Sequence, residues 1–213
     1  MSEGEHVLGA HALVDLSNAT VVTPPNRTRV ETNAIAMLID EVEKRSLLRW
    51  NQATTWPTEP GPVILVGTAQ SLRSFRVATT DPPAATAAPE GYQLRVSDEA
   101  ANSVVSIVGN DARGLLYGIG HLLRSLRLSH RRASLPSDLN VTTAPRYGLR
   151  GHQLGYRDKT NSYDGWDLRQ WRQYVRDLAV FGANAIEIIP PRSDDRPTSV
   201  HFPLPPLETM TGV

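Results

Sequence analysis

A strand, a loop, a helix and a second strand follow one another late in this sequence, and their order strongly constrains the fold. LRGHQLGY (149–156) is typical of a strand, and the polar stretch KTNSYDG (159–165) is typical of a loop. An apolar stripe predicts a helix over 167–181, with Gly182 just beyond its end. ANAIEIIPP (183–191) then indicates a buried strand. Together they predict a βαβ unit, which requires parallel strands and a right-handed crossover.

This βαβ unit is too small to be a stable layer by itself. A parallel sheet needs further strands and cover on both faces. The unit therefore packs on a sheet formed by the preceding residues, or it belongs to a larger parallel structure. A (β/α)₈ barrel takes about 250 residues. Residues 145–213 could supply at most the first quarter of such a barrel.

The residues before this unit interleave strands and helices. ATVVTPP (19–25) predicts a short strand, and PVILVG (62–67) predicts a buried one. Thr28 and Glu31 fit a capping box, which starts an amphipathic helix over 28–47 whose predicted apolar stripe includes Val30. The other predicted elements are a hairpin of 91–98 and 103–109, a helix over 111–128 capped by Asn110 or Asp111, a loop over 79–90, and a strand or crossing segment over 139–145. Residues 1–144 are therefore expected to form a mixed α/β domain.

Three glycines lie inside the helix predicted over 111–128: Gly114, Gly118 and Gly120. A nucleotide-binding glycine loop would have to lie between a strand and the start of a helix, and the order G-xxx-G-x-G does not fit it. Close packing of the helix against a sheet is the favoured interpretation, although each glycine costs up to about 1 kcal/mol of helix propensity relative to alanine.

The composition excludes several classes of function. The 213 residues include no cysteine, so disulfides, thiolate metal sites and cysteine nucleophiles are excluded. The formal net charge is zero, which gives no electrostatic case for nucleic acid or a membrane surface as a partner. No signal peptide and no apolar run of membrane-spanning length is recognised, so a cytoplasmic location is expected. No cofactor is expected, and no His, Asp and Glu set has metal-ligand spacing.

Two stretches resemble known families of glycoside hydrolases. GNDARGLLYGIGHLLRSL (109–126) is similar to the last helix of the small α/β domain that precedes the barrel in β-N-acetylhexosaminidases and α-glucuronidases. APRYGLRGHQLGYRDKTNSYDGWDLRQWRQYVRDLAVFGANAIEIIPP (144–191) resembles the entry into their catalytic barrel. The resemblance implies an α/β fold in two parts. Residues 1–144 would form a small mixed-sheet α/β sandwich, which is non-catalytic, and residues 145–213 the first βα units of a truncated (β/α)₈ barrel.

The resemblance also implies a carbohydrate partner and a set of substrate-binding residues. Arg150, followed by Gly151, matches an arginine expected to bind sugar hydroxyls, and a planar guanidinium can bridge two oxygens. His152, Tyr156, Trp166 and Glu187 are further candidates. His152 could instead be a hydrogen-bonded strand histidine, and Glu187 could be paired with an arginine.

Other polar and aromatic residues of this segment have structural interpretations. Asp164 or Asp167 is expected to cap the helix over 167–181, and Trp171 is expected to be a core residue, unlike Trp166.

The resemblance implies that the acidic pair of such hydrolases lies beyond the second strand. The expected function is therefore the N-terminal portion of a glycoside hydrolase acting on amino-sugar or uronic-acid glycosides, inactive alone. The catalytic residues stay unassigned. The alternative is a stand-alone, non-enzymatic carbohydrate-binding or protein-interaction module. It predicts no exposed apolar face, whereas the truncated barrel predicts exposed Trp171, Phe181, Ile186 and Ile188.

Overall fold

The computed structural model describes residues 12–73, 88–99, 102–154 and 162–188. The chain divides into two compact units, which we call the first unit (Met1–Arg146) and the second unit (Tyr147–Val213). The predicted loop over 79–90 lies almost wholly outside the described residues, as do Tyr156 and the segment that follows Ile188.

The first unit is a mixed α/β structure with one large mixed sheet, as the sequence predicted. Its helices are α1 (Arg29–Ser46), α2 (Ala69–Arg73) and α3 (Ala112–Ser125). Its strands are β1 (Leu13–Asp15), β2 (Thr20–Val22), β3 (Asn51–Ala53), β4 (Val63–Thr68), β5 (Tyr92–Glu99), β6 (Asn102–Gly109), β7 (Arg127–Ser129), β8 (Arg132–Pro136) and β9 (Asn140–Thr143).

Six of these strands form the large sheet, in the order β3-β2-β4-β6-β5-β9. The first four are parallel, and β5 runs antiparallel to both β6 and β9. Strands β1, β8 and β7 form a separate antiparallel sheet. The parallel part follows from the helix between β2 and β3, since a crossover connection is needed to join adjacent parallel strands.

The core of the first unit lies on both faces of the six-stranded sheet. Helices α1 and α3 contact each other, and α3 packs on β4, β5 and β6. A second cluster of buried side chains forms around Val22, Leu65 and Val108, with Leu72 of α2 packed against it. All six residues of β4 are buried, which is why this strand is a nearly continuous apolar run in the sequence.

Most of the elements predicted from strong patterns are confirmed. Thr28 caps α1 in a capping box with Glu31, and Asp111 caps α3. The predicted hairpin is β5 paired with β6, and 139–145 contains β9 at the edge of the sheet.

Three details of the sequence prediction are wrong. The helix predicted over 111–128 ends at Ser125, because Leu126 is extended and β7 begins at Arg127. Val30, expected on the apolar stripe of α1, is 47% exposed. The short elements β1, β3, β7, β8 and α2 were not predicted, because three to five residues are too few to show a periodicity.

The interpretation of the glycines in α3 as packing residues is confirmed at two positions. A Cβ atom on Gly114 would lie 2.1 Å from the carbonyl oxygen of Gly91. One on Gly118 would lie 2.8 Å from Cγ2 of Ile107, in the middle of the sheet. Helix α3 therefore approaches β5 and β6 more closely than any residue with a side chain would permit.

The second unit contains the predicted βαβ arrangement. Strand β10 (Gly151–Leu154) leads through a 3₁₀ turn (Ser162–Gly165) to α4 (Leu168–Val180), and β11 (Ala185–Ile188) pairs with β10 in parallel. Asp167, and not Asp164, caps α4, in a capping box with Gln170. Gly182 has φ +87°, as expected for a glycine that ends a helix.

The apolar stripe predicted for α4 is only partly covered. Trp171 and Leu178 are half-buried, whereas Leu168, Val175 and Phe181 are exposed. Two strands cover one side of a helix at most, so part of the stripe stays exposed. Among the described residues, no helix is long and apolar enough to cross a membrane.

The glycine contacts predict a measurable effect of Gly114→Ala. Helix propensity alone would stabilise the protein by about 1 kcal/mol. The clash with the carbonyl of Gly91 should instead lower the free energy of unfolding by about 1–3 kcal/mol, because the backbone has to move. Chemical denaturation measures the difference. Gly61→Ala is the control, since a Cβ atom there meets nothing within 4 Å. Equal or higher stability of Gly114→Ala would contradict the close approach.

A second prediction concerns Glu31, which is buried at the start of α1. Its carboxylate accepts hydrogen bonds from the backbone N–H of Thr28 (2.7 Å), the hydroxyl of Thr28 (2.8 Å) and the hydroxyl of Thr68 (3.1 Å). Burial raises the pKa of Glu31, but these hydrogen bonds outweigh burial, so its pKa is lowered overall.

Because the folded protein binds the proton less well, the ionised carboxylate stabilises the fold above pH 4.5, and this stability is lost as the pH falls through the folded-state pKa. Glu31→Gln should cost about 1–3 kcal/mol at neutral pH. The difference from the wild type should shrink as the pH falls below about 4.5. Denaturation at several pH values checks this, and Glu59→Gln, in an exposed loop, is the control. If the difference in unfolding free energy between Glu31→Gln and the wild type did not change with pH, the proposed stabilisation by the ionised carboxylate would be wrong.

Candidate functional site

The first residues of β10 and β11 are held together by hydrogen bonds between Arg150 and Asn184. The side-chain oxygen of Asn184 accepts from the backbone N–H of Arg150 (2.9 Å), and its Nδ2 donates to the carbonyl of Gly148 (2.7 Å). The carbonyl of Arg150 in turn accepts from the N–H groups of Asn184 (2.8 Å) and Ala185 (3.2 Å). These bonds fix the register in which the two strands pair.

The guanidinium of Arg150 is directed to the same edge of the sheet. Its Nε donates to the carbonyl of Gly182 (2.7 Å), and its Nη1 donates to the carbonyl of Tyr147 (2.7 Å). Arg150 precedes β10, so it lies where the strands begin, whereas barrel enzymes place their sites where the strands end. Its contact with sugar hydroxyls stays a prediction, and these two hydrogen bonds give the side chain a structural role.

The two faces of the β10–β11 sheet carry different side chains. Successive residues of a strand point to opposite faces, and directly paired residues of parallel strands share a face. His152 pairs with Ile186, and Gln153 pairs with Glu187. The Nδ1 atom of His152 is hydrogen-bonded to the hydroxyl of Tyr174 in α4. His152 and Ile186 therefore lie on the face that carries α4, and Gln153 and Glu187 lie on the opposite face.

The face opposite α4 combines small and polar residues. Gly151 pairs with Ala185 at the start of the strands, and Gln153 pairs with Glu187 one position before each strand ends. Gly151, Gln153 and Glu187 are all exposed. A carboxylate and an amide thus stand side by side on an open surface, where they can accept and donate hydrogen bonds.

An aromatic cluster lies on the side of α4. Trp166 contacts Trp171 and Tyr174, with ring centroids 5.2 and 5.3 Å apart, and Tyr163 packs on both tryptophans. His152 joins the cluster through Tyr174, and burial raises the pKa of Tyr174. The expected distinction between a core Trp171 and a site-lining Trp166 is not seen, because both are half-buried in one cluster.

The predicted site residues therefore do not converge on one place. His152 and Trp166 share the aromatic cluster, Glu187 lies on the opposite face, and Arg150 lies at the edge where the strands begin. Tyr156 lies outside the described residues. Within the described parts of the chain, no group of three or more His, Asp or Glu side chains is arranged to hold a metal ion.

Sequence reasoning missed two residues of this region. Asn184 lies in the predicted strand segment ANAIEIIPP (183–191) and was given no role of its own, although asparagine is well suited to join two strands because it both donates and accepts hydrogen bonds. Gln153 was missed because a four-residue strand with the sequence GHQL does not show which face is buried. Its pairing with Glu187 would have identified Gln153 as a site residue. That pairing is known only once the register of β10 and β11 is known.

The contacts of Arg150 lead to a prediction for Arg150→Gln. The variant should lose the hydrogen bonds to Gly182 and Tyr147, at a cost of roughly 1–2 kcal/mol in this partly exposed position. Hydrogen exchange at the N–H groups of Asn184 and Ala185 should become faster. Arg169→Gln is the control in the same unit, because its side chain is 90% exposed. Unchanged exchange in Arg150→Gln would show that the guanidinium does not hold this edge.

The chain has recognisable relatives in sequence and structure. Residues 26–122 match the family model described as "Glycosyl hydrolase family 67 N-terminus". No curated protein sequence matches the chain significantly.

Solved structures share its fold at low sequence identity. A family GH115 4-O-methyl-α-glucuronidase with specificity for decorated arabinogalactans superposes with a TM-score of 0.58 at 15% identity, over 83% of this chain and 25% of its own. A GH20 exo-β-N-acetylglucosaminidase from Vibrio harveyi gives 0.57 at 17% identity, over 83% and 22%. The GH20 β-N-acetylhexosaminidase from Streptomyces coelicolor A3(2) gives 0.55 at 16% identity, over 84% and 32%.

The chain thus spans 22% to 32% of the length of these proteins. The resemblance expected from the sequence is confirmed: this chain resembles the N-terminal domain of glycoside hydrolases.

Proposed function

We propose that this chain is the N-terminal portion of a glycoside hydrolase that acts on amino-sugar or uronic-acid glycosides. In this proposal the first unit is the non-catalytic α/β domain, and the second unit begins a (β/α)₈ barrel. The observation that carries the proposal is the combined match of sequence and fold to such hydrolases. Carbohydrate is the proposed partner.

The extent of the structural matches supports the assignment of the second unit. The first unit holds residues 1–146 of 213, so a match over 83% of the chain must extend into the second unit. A parallel β-strand, a helix and a second parallel strand are also the repeating element of a (β/α)₈ barrel.

The packing of the second unit supports a larger structure around it. Among its described hydrophobic residues, only Leu154 and Val180 belong to the buried core. Five of its described large apolar side chains are exposed, namely Tyr147, Leu149, Leu168, Val175 and Phe181, with Leu149 at 77% and Phe181 at 73%. Of the residues expected to be exposed in a truncated barrel, Phe181 is exposed, Trp171 and Ile186 are half-buried, and the side chain of Ile188 is not described. A stand-alone module would be expected to bury more of this surface.

Three carboxylates of the second unit have described side chains, namely Asp167, Asp177 and Glu187. Glycoside hydrolysis generally uses two carboxyl groups about 5–10 Å apart on either side of the scissile bond. Asp167 caps α4, and Asp177 accepts a hydrogen bond from Gln173 (2.9 Å). Glu187 lies on the opposite face from α4, next to an amide. In this proposal the catalytic acids are supplied by residues outside this chain, as the resemblance to these hydrolases implies.

This proposal predicts that purified 1–213 does not hydrolyse aryl glycosides of N-acetylglucosamine or glucuronic acid. Release of the coloured phenol measures the activity, and a known hexosaminidase and glucuronidase serve as positive controls. A reading frame that continues past the codon for Val213 and adds two acidic residues at later strand ends is expected. Hydrolysis by 1–213 itself would overturn the proposal.

The stand-alone binding or interaction module makes a different prediction. It should give a cooperatively unfolding protein that does not bind a hydrophobic dye, because no large apolar surface would be open. The proposed barrel portion should bind such a dye, and substitution of Phe181 and Leu168 by serine should reduce the signal. Absence of dye binding together with a stop codon after Val213 would favour the module.

A further inference from the structure

The open face of the β10–β11 sheet has the character of a ligand contact surface. In a (β/α)₈ barrel the helices form the outer ring, so the face of the strands opposite the helix points into the barrel. Gln153 and Glu187 occupy that face, since His152, on the other face, contacts α4. They are also the third residue of each four-residue strand, and the active site of a barrel lies at the end toward which its strands run.

The residue types on this face differ from those of a packed barrel interior. Inward positions of such barrels are dominated by bulky branched side chains, which fill the core. Here the first inward pair is Gly151 and Ala185, and the second is Gln153 and Glu187. Two small residues beneath two polar ones leave room above the sheet and present hydrogen-bonding groups to it. In a complete barrel this pair would present hydrogen-bonding groups to the interior, where a polar ligand or water would satisfy them.

We propose that Gln153 and Glu187 together bind two neighbouring hydroxyl groups of a sugar ring. This inference rests on the proposed function and names two residues that would hold its substrate. Paired strands lie about 4.8 Å apart, so the two side chains can reach adjacent ring positions. The carboxylate of Glu187 accepts a hydrogen bond from a hydroxyl, and the amide of Gln153 can donate to one hydroxyl and accept from another.

The negative charge of Glu187 also limits which groups of a sugar can contact Gln153 and Glu187. A carboxylate in this position repels the carboxylate of a uronic acid. The pair therefore binds neutral hydroxyls, and the carboxylate or acetamido group of the sugar lies elsewhere. Because its neighbour is an amide and not a second carboxylate, Glu187 acts here as a binding group and not as one of an acid pair.

The test is a titration of isotope-labelled 1–213 with methyl glycosides of N-acetylglucosamine and of glucuronic acid, followed by NMR. The side-chain amide signals of Gln153 are expected to shift with either sugar. Glu187→Ala should weaken binding about tenfold or more, and Gln153→Ala about fivefold, since a hydrogen bond to a charged group is the stronger one. Unchanged hydrogen exchange at Ala185 would show that the strands still pair in each variant.

The chain contains a matched control in a second glutamine–carboxylate pair. Gln173 donates to Asp177 on α4, on the other side of the sheet from Gln153. Gln173→Ala should leave sugar binding unchanged. Sugar binding that survives both Glu187→Ala and Gln153→Ala would overturn the inference, as would the absence of any shift at Gln153 up to high sugar concentration.

Failure of this inference is distinguishable from failure of the proposed function. If a longer product of the gene hydrolyses glycosides, but Gln153→Ala and Glu187→Ala change neither its KM nor its kcat, the inference is wrong and the proposed function stands. If the reading frame stops after Val213 and 1–213 still binds sugar through this pair, the pair is a binding site and the hydrolase assignment is wrong.

Discussion

The close approach of α3 to the six-stranded sheet is the constraint on which the first unit depends. Gly114 lies against the backbone of Gly91, and Gly118 lies against the side chain of Ile107, so the helix contributes no side chain of its own at these two points. This contact sets the position of α3, and α1 then packs against α3. Each glycine makes the helix less stable than an alanine would. Glycine is nevertheless present because a larger residue would not fit at a contact this close.

In the second unit, the corresponding constraint is the pair of residues that joins the beginnings of β10 and β11. Arg150 and Asn184 exchange hydrogen bonds through backbone and side chain, and the guanidinium of Arg150 also holds the carbonyls of Tyr147 and Gly182. These bonds set the register, and the register decides which side chains share a face. The candidate site on the open face therefore depends on residues that lie at the opposite end of the strands.

Neighbouring residues of the segment around β10 have different roles, because some hold the fold together and others face the open side of the sheet. Arg150 holds the edge and His152 contacts α4, while Gln153, between Arg150 and the end of the strand, faces the open side. In the first unit, Glu31 and Asp111 are likewise engaged in capping helices. We therefore propose the second unit, and not the first, for contacts with carbohydrate.

The sequence by itself determined the elements that carry strong local signals. The capping box at Thr28, the apolar run of β4, the N-cap at Asp111 and the helix-ending Gly182 each reflect chemistry within a few residues. Only the tertiary structure decided the short elements β1, β3, β7, β8 and α2 and the orientation of His152, Gln153 and Glu187. A strand as short as GHQL has no distinctive alternation, so its faces are assigned by the register of its partner and by the helix that packs on it.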